Sequence, residues 1–354
     1  MLFRSNVAKL TAVRERLAEI RAEWAELPLL EADAGDDASL AAVAARTGVV
    51  ITTVGPYLQY GEGLVRACAE AGTDYVDLTG EPEFVDTMYV KYHRTAAESG
   101  ARIVHACGFD SIPHDLGAYF TVTQLKAAGP VTMRGVVRSN ATFSGGTFHS
   151  AIGAFSRARQ MSAAFKERLA VEPRPEGRSS RAVQGRPGRD SVLGYWLLPL
   201  PTIDPQVVAR SGAALEAYGP RFRYSHFAGT KTLRYAAGGV AGVSAIAVTA
   251  QIKPLRSALL SRIKQGEGPS ERRRAASWFT VDFVAEADGR TLRTRVSGGD
   301  PGYDETAKML AESALCLAFD DNPAIAGSVT TAQAMGDNLL LRLVAAGMSF
   351  EVVG

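Results

Sequence analysis

The chain has 354 residues, enough for two units of ordinary size, each with a core of its own. Hydrophobic residues make up 46% and charged residues 21%, a globular composition, and a net charge of +2 argues against the basic field that nucleic-acid binding needs. Cys68, Cys107 and Cys316 are odd in number and far apart, which argues against a disulfide framework or a zinc motif and favours a reduced, cytoplasmic setting.

The opening "MLFRSNVAKL" lacks the apolar stretch of a secretory signal. "NVAKLTAVRERLAEIRAEW" places Val7, Leu10, Val13, Leu17 and Ile20 at helical spacing. "LPLLEADA" reads as a strand ending in acids. A short helix over residues 36–45 follows, with Leu40, Val43 and Ala44 on one side. "GVVITTV" is an unbroken β-branched run of the kind buried in a parallel sheet. Then come a helix closed by Gly72, the strand "DYVDL", a helix "MYVKYHRTAAESG" closed by Gly100, and the strand "ARIVHACG". Strand and helix alternate from Leu27 to Gly108, the pattern of a doubly wound parallel sheet.

After Tyr119 the pattern changes to α+β. "VTMRGVVRS" is a strand, "GGTFHSAIGAFSRARQMSAAF" a helix, and Pro173 to Asp190 an exposed loop. "ASWFTVDFVAEADGRTLRTRVSG" alternates as a β-hairpin with its turn at Asp288-Gly289. Residues 304–319 form a helix, and "TTAQAMGDNLLLRLVAAG" reads as one last helix. Its stripe of Leu339, Leu340, Leu343 and Val344 is expected to pack back on the first unit. The expected organisation is therefore 1–118 as a Rossmann-like unit, 119–327 as an α+β substrate or dimerisation unit, and 328–354 as the returning helix. One apolar run, Ala236 to Ala250, carries no charge and is too short to span a bilayer. A buried helix is the first reading. A lipid-touching segment is the second, because Lys253, Arg256, Arg262 and Lys264 follow at once.

A dinucleotide-binding unit opens with a strand, a G-x-G-x-x-G turn and a helix that holds the pyrophosphate. No such triplet occurs in this sequence, and Gly238-Gly239 with Gly242 reads as packing. Arg4, Ser5 and Lys9 instead stand where a second strand would end, the place where cations meet the 2′-phosphate of NADP(H). The sequence thus reads as a Rossmann-like sheet whose first strand and glycine loop are absent.

Ligands of such sheets sit beyond the carboxyl ends of the strands. The residues there are Asp33, Thr53, Val54, Gly55 and Pro56, Thr79 to Glu81, and Gly108 to Ser111. Asp33, Thr53, Val54, Gly55, Pro56 and Gly108 are read as cofactor contacts. Tyr57 is a candidate proton donor or a packed aromatic. Asp110 or Ser111 can N-cap a helix beginning near Pro113, leaving His114 at the cleft mouth. A bare structural cap is the competing reading. Asp77 and Glu81 are candidate rim acids, and His149 a candidate from the second unit. No cluster of ligands in the sequence suggests a metal.

"TTVGPYLQYGEGLVRACAEAGTDYVDLTGE" and "GARIVHACGFDSIPHDLG" resemble the saccharopine dehydrogenase-like oxidoreductases, and within them the trans-acting enoyl reductases of actinobacteria. "YGPRFRYS", "GGDPGYDETAKMLAESALCLA" and "TTAQAMGDNLLLRL" are similar to that group's second half, so the resemblance runs from Phe3 to Val353. It implies an NADP-dependent reduction of a carbon–carbon double bond in a lipid or polyketide chain, in trans to a synthase and its carrier protein. It also leaves room for a homodimer and for peripheral contact with the plasma membrane. Two alternatives stay open: a reductase of an amino-acid-like substrate, for which Arg138 and Arg157 are available, and a non-catalytic scaffold docking on a synthase or membrane.

Overall fold

The computed structural model describes residues 1–141, 152–153, 156–262 and 268–353, and His149 lies outside them. Two parallel sheets occupy the first third of the chain. β1 (Leu2–Arg4) leads into α1 (Val7–Ile20), whose first turn is closed by the Asn6 side chain accepting from the Lys9 amide at 3.0 Å. A 3₁₀ turn (Ala22–Glu26) then leads to β2 (Leu29–Glu31), which pairs in parallel with β1.

After α2 (Asp37–Ala44) the chain forms β3 (Val49–Thr52), α3 (Tyr57–Tyr60), α4 (Glu62–Ala71), β4 (Asp74–Asp77), α5 (Pro82–Ser99) and β5 (Arg102–Val104). β3, β4 and β5 form a parallel sheet with a fourth strand described below. Gly72 and Gly100, at φ 72° and 88°, close α4 and α5 in the left-handed region. α5 begins earlier than the sequence suggests, because Pro82 suits the first helical position. β1 and β2 form a sheet of their own and do not pair with β3. Phe3 and Leu30 nevertheless pack on the cluster containing Val50, Tyr75 and Ile103, so one core serves both sheets.

α6 (Ile112–Leu125) carries the chain across to a second, mixed sheet. β6 (Val131–Ser139), α7 (Ala158–Val171), β7 (Ser179–Ala182), β8 (Gly188–Arg189), β9 (Trp196–Pro199), α8 (Asp204–Ala214) and β10 (Arg221–Thr230) come first. α9 (Leu233–Gln251), α10 (Lys253–Arg262), α11 (Glu271–Ala275), β11 (Phe279–Ala287) and β12 (Arg290–Gly298) complete it. β6 and β10 are parallel, and β11 and β12 form the expected hairpin with Asp288-Gly289 at positive φ. The loop expected over 173–190 holds two strands. β7 lies parallel to the first half of β10, and β9 lies antiparallel to its second half.

α12 (Asp304–Phe319) then returns to pack on β3 and β4, and β13 (Gly327–Val329) joins the first sheet beside β5. The expected last helix is two, α13 (Thr331–Ala334) and α14 (Gly336–Ala345), broken at Met335. Leu339 and Leu343 are buried, Leu340 is half-buried and Val344 is exposed, so the apolar stripe is narrower than expected. β14 (Ser349–Val352) ends on the second sheet, against β12. A single hydrophobic cluster runs from Val76 and Val104 through α6 and α12 to Phe279 and Phe283, joining the two sheets.

The apolar run from Ala236 to Ala250 corrects the first reading. It lies within α9, but Leu233, Tyr235, Val243 and Val248 on that helix are exposed. A helix made chiefly of alanine, glycine and valine has the same composition whether it faces a core or something outside the chain.

Candidate active site between the two sheets

The turns after β3 and β5 open on one cavity of about 1050 Å³, whose other wall comes from the second sheet. Thr53, Gly55, Pro56, Tyr57, Gly108, Asp110 and His114 line it, with Arg138, Asp204 and His226 opposite. The remaining candidates lie elsewhere. Val54 is exposed outside the lining, and Ser111 is fully buried beneath it. Arg4, Ser5, Lys9 and Asp33 are exposed around the ends of β1 and β2, and the Asp33 carboxylate accepts from the Gly35 amide at 2.8 Å.

The turn after β3 is held from within. Glu81 accepts from the Tyr57 amide at 3.0 Å and from the Leu58 amide at 3.1 Å, closing the start of α3. The Tyr57 hydroxyl donates to the Thr52 carbonyl and accepts from the Leu78 amide, both at 3.2 Å. Burial, and then the charge of Asp77, push this phenol far above its ordinary value. Its geometry is that of a packed aromatic tying β3 to β4, not of a proton donor.

Asp77 is likewise committed, accepting from the amides of Thr79 and Ala106 at 3.0 and 2.9 Å and from the Tyr75 hydroxyl at 3.0 Å, with His105 Nδ1 at 2.7 Å. The expected rim acids therefore brace backbone. The sequence cannot show this, because the amides of Tyr57, Leu58 and Ala106 come from other turns.

The turn after β5 is more strained. Ala106 and Ser111 adopt φ of 60° and 132°, which non-glycine residues rarely do, and Phe109 donates its amide to Thr306 Oγ1 at 3.0 Å. Ser111 occupies the N-cap position of α6, but its side chain makes no capping hydrogen bond, so the expected cap is absent. Asp110 turns into the cavity over Gly80, where an added Cβ would lie 2.8 Å from its Oδ2. Burial, then the nearby charge of Asp204, raise the Asp110 carboxyl to about 7.

Behind Asp110 lies a group that the sequence did not mark. Asp204 opens α8, His226 sits on β10 and His114 on α6, and one ligand-type atom from each falls within 4.8 Å of the others. His114 Nε2 is 3.6 Å and His226 Nε2 3.5 Å from the Asp204 carboxylate, and His226 Nδ1 is 3.1 Å from the Tyr224 hydroxyl. Burial drives both imidazoles down to about 3, so both are neutral around pH 7. Asp204 is pushed above the usual carboxylate range by burial. These three residues stand far apart in sequence, and no spacing rule links them. The only signal is scarcity, since the chain has five histidines and two of them meet here.

Three arginines line the cavity, and one of them, Arg256, donates to the Ala250 carbonyl at 3.2 Å. Arg157 forms a fork with Glu83, at 2.8 and 2.5 Å, and Arg138 donates to the Tyr195 hydroxyl at 2.9 Å while stacking on that ring. Leu58, Leu78, Phe109, Val137, Met161 and Leu200 make the lining apolar.

The carboxyl ends of the parallel strands, the flanking mixed sheet and the cavity between them define a Rossmann-like α/β protein with its ligand cleft between two sheets. In sequence, the chain is 40% identical to a protein assigned as a trans-acting enoyl reductase from Mycobacterium tuberculosis, over 98% of this chain and 89% of that one. It is 36% identical to the trans-acting enoyl reductase of Mycobacterium bovis, over 96% of this chain and 88% of that one. The Mycobacterium ulcerans enzyme of that name is 34% identical, with the same two coverages of 96% and 88%. In fold it is similar to apo saccharopine dehydrogenase (L-Glu forming) from Saccharomyces cerevisiae, with a TM-score of 0.52 at 11% identity, covering 99% of this chain and 93% of that one. No protein-family model matches the chain. The chain belongs to the family of the trans-acting enoyl reductases.

An oxidoreductase of this kind uses a nicotinamide cofactor, and the cavity fits the nicotinamide half. Thr53 and Gly55 stand in the cavity wall after β3, Gly108 lines it with its Cα packed against Leu78 and Thr306, and the Asp110 carboxyl looks into the same space. Among the described residues no glycine-rich turn opens a helix to hold a pyrophosphate.

Proposed function

We propose that this chain reduces the carbon–carbon double bond of an enoyl group in a lipid or polyketide chain, presented in trans on the carrier protein of a synthase. The observation that carries the reading is the Asp110 carboxyl, half protonated near neutrality and aimed into a cleft whose floor is the carboxyl edge of a parallel sheet. Thr53, Gly55 and Gly108 would hold the nicotinamide, which when bound supplies the hydride. The apolar side chains around Phe109 and Met161 exclude water and accept an acyl chain. An Asp110 carboxyl oxygen gives its proton to the carbon beside the acyl carbonyl, the step that completes saturation. Asp204 supports it by keeping negative charge beside Asp110, which favours the protonated form before each turnover.

NADP is the proposed form of the cofactor, because Arg4 and Lys9 are exposed cations around the carboxyl end of β1, where a 2′-phosphate is met in such sheets. An amino-acid-like substrate would need free cations for its carboxylates. The Arg157 charge is matched by Glu83, and the apolar lining around Phe109 and Met161 supports the acyl reading. The test is solvent deuterium incorporation into a 2-enoyl thioester. One deuterium per product at the carbon beside the carbonyl is expected, entering at a much lower rate with Asp110→Asn. An equal rate of incorporation by that variant would overturn the role of Asp110.

A further inference from the structure

We infer that α9 and the start of α10 seat this protein on an anionic membrane surface, lying along the bilayer beside the mouth of the cavity. The observations are independent of the proposed reaction. α9 is a 19-residue helix of mean hydropathy 1.3, yet only 12% of its apolar window is buried within the chain. Leu233 is 56%, Tyr235 60% and Val248 63% exposed, and the apolar surface continues past the helix through Ile252 and Leu255. Exposed apolar surface of this extent marks a partner, and its flanks say which kind. Lys231 and Arg234 stand at one end and Lys253 and Arg256 at the other, with no acidic residue between. Cations at both ends of an apolar helix match anionic lipid headgroups above an acyl layer.

The geometry also sets the orientation. Ala236 near the start of α9 and Ala250 near its end are both buried, at 4% and 0%. Between them Gly239 and Ile246 are half-buried, and an added Cβ on Gly239 would lie 3.0 Å from Leu198 on β9. These four residues fall on one side of the helix. The first half of α9 therefore rests on β9, and Arg256, which donates to the Ala250 carbonyl at 3.2 Å, ties its far end to the cavity wall, an arrangement that a helix passing through a bilayer does not allow.

The seat places the cavity at the lipid. Gly229 and Thr230, just before α9, and Arg256, just after it, all line the cavity wall. An acyl chain can pass from the membrane into the cleft between the two ends of this helix without crossing water.

The test is flotation of the full chain with phosphatidylcholine vesicles, with and without phosphatidylglycerol. Binding to the phosphatidylglycerol vesicles is expected, weakened by salt and released by alkaline carbonate. Val248→Asp, on an exposed position, should lower the partition at least about tenfold with the melting temperature unchanged. Lys231→Glu with Lys253→Glu should remove the preference for anionic vesicles. Failure to float with either vesicle, or flotation of Val248→Asp equal to the parent, overturns the inference. Resistance to alkaline carbonate would mean a spanning helix and overturns it equally.

Discussion

Glu81 reaches across from the turn after β4 to grip the Tyr57 amide at 3.0 Å, so the two turns flanking the cavity floor are locked together by one carboxylate. The second oxygen holds the Leu58 amide at 3.1 Å. Hydrogen bonds of this charge-assisted kind contribute roughly 1.5–3 kcal/mol each, less where one side meets solvent. Glu81→Ala is expected to lower stability by about 2–3 kcal/mol in urea unfolding. Tyr57→Phe removes only the hydroxyl between Thr52 and Leu78, should cost about 1 kcal/mol, and should leave turnover nearly intact. Loss of turnover with stability preserved would return Tyr57 to the chemistry.

Asp110 gives the protein a pH signature. Its folded value is raised to about 7 against roughly 3.9 in an unfolded chain. The folded state thus holds the proton longer, so this residue's contribution to stability falls as pH rises from about 4 to about 7 and stays low above. Asp110→Asn should remove that slope, raising stability at pH 8 by on the order of 2 kcal/mol, since the cavity side of the carboxyl is partly screened, and changing little at pH 4. Thermal melts across that range check it, and an unchanged slope would count against the assignment.

The two sheets are held together by a buried charge network. Arg168 on α7 and Gln206 on α8 both donate to Asp86 on α5, each at 2.5 Å, and Arg210 donates to Glu172 at 2.8 Å and to the Ser328 carbonyl at 2.9 Å. Arg168 also pairs with Glu172. Asp86→Ala would leave the buried Arg168 guanidinium with Glu172 alone and should cost about 3 kcal/mol. Adding Arg168→Met should recover part of that loss. An additive double variant would show that the pair is not coupled.

Asp115 on α6 anchors the returning segment, accepting from the Thr331 hydroxyl at 2.7 Å and the Ala332 amide at 2.9 Å at the start of α13. Asp115→Ala is expected to cost about 1–3 kcal/mol, and to speed amide exchange over residues 331–335 before it affects the core.

Much of the first sheet was legible because parallel strands carry unbroken β-branched runs and glycines mark helix ends. Gly72 and Gly100 each sit where that logic puts them, while "GVVITTV" forms β3 at the edge of its sheet, with Ile51 and Val54 exposed rather than buried. The cavity rim was legible too, since Gly55, Gly108 and Asp110 follow such strands. What was hidden depends on tertiary neighbours. Asp77 and Glu81 read as rim acids until the amides they hold are known. Asp204 and His226 come from separate elements of the second half and meet His114 only in the fold. The run from Ala236 to Ala250 read as core because composition alone does not separate a helix facing protein from one facing outward. Met335 breaks the last helix because the Thr330 capping box starts α13 and the chain must turn again at Gly336, at φ 43°.

The central claim is that this cleft saturates an enoyl group with the proton drawn from Asp110. The most direct measurement is turnover of a 2-enoyl thioester with a reduced nicotinamide cofactor, followed by mass spectrometry of the product, for the parent chain and Asp110→Asn side by side. The account predicts a product two hydrogens heavier from the parent, and a rate at least about a hundredfold lower from the variant. Saturation at the parent rate by Asp110→Asn, or no saturated product from either chain, would contradict it.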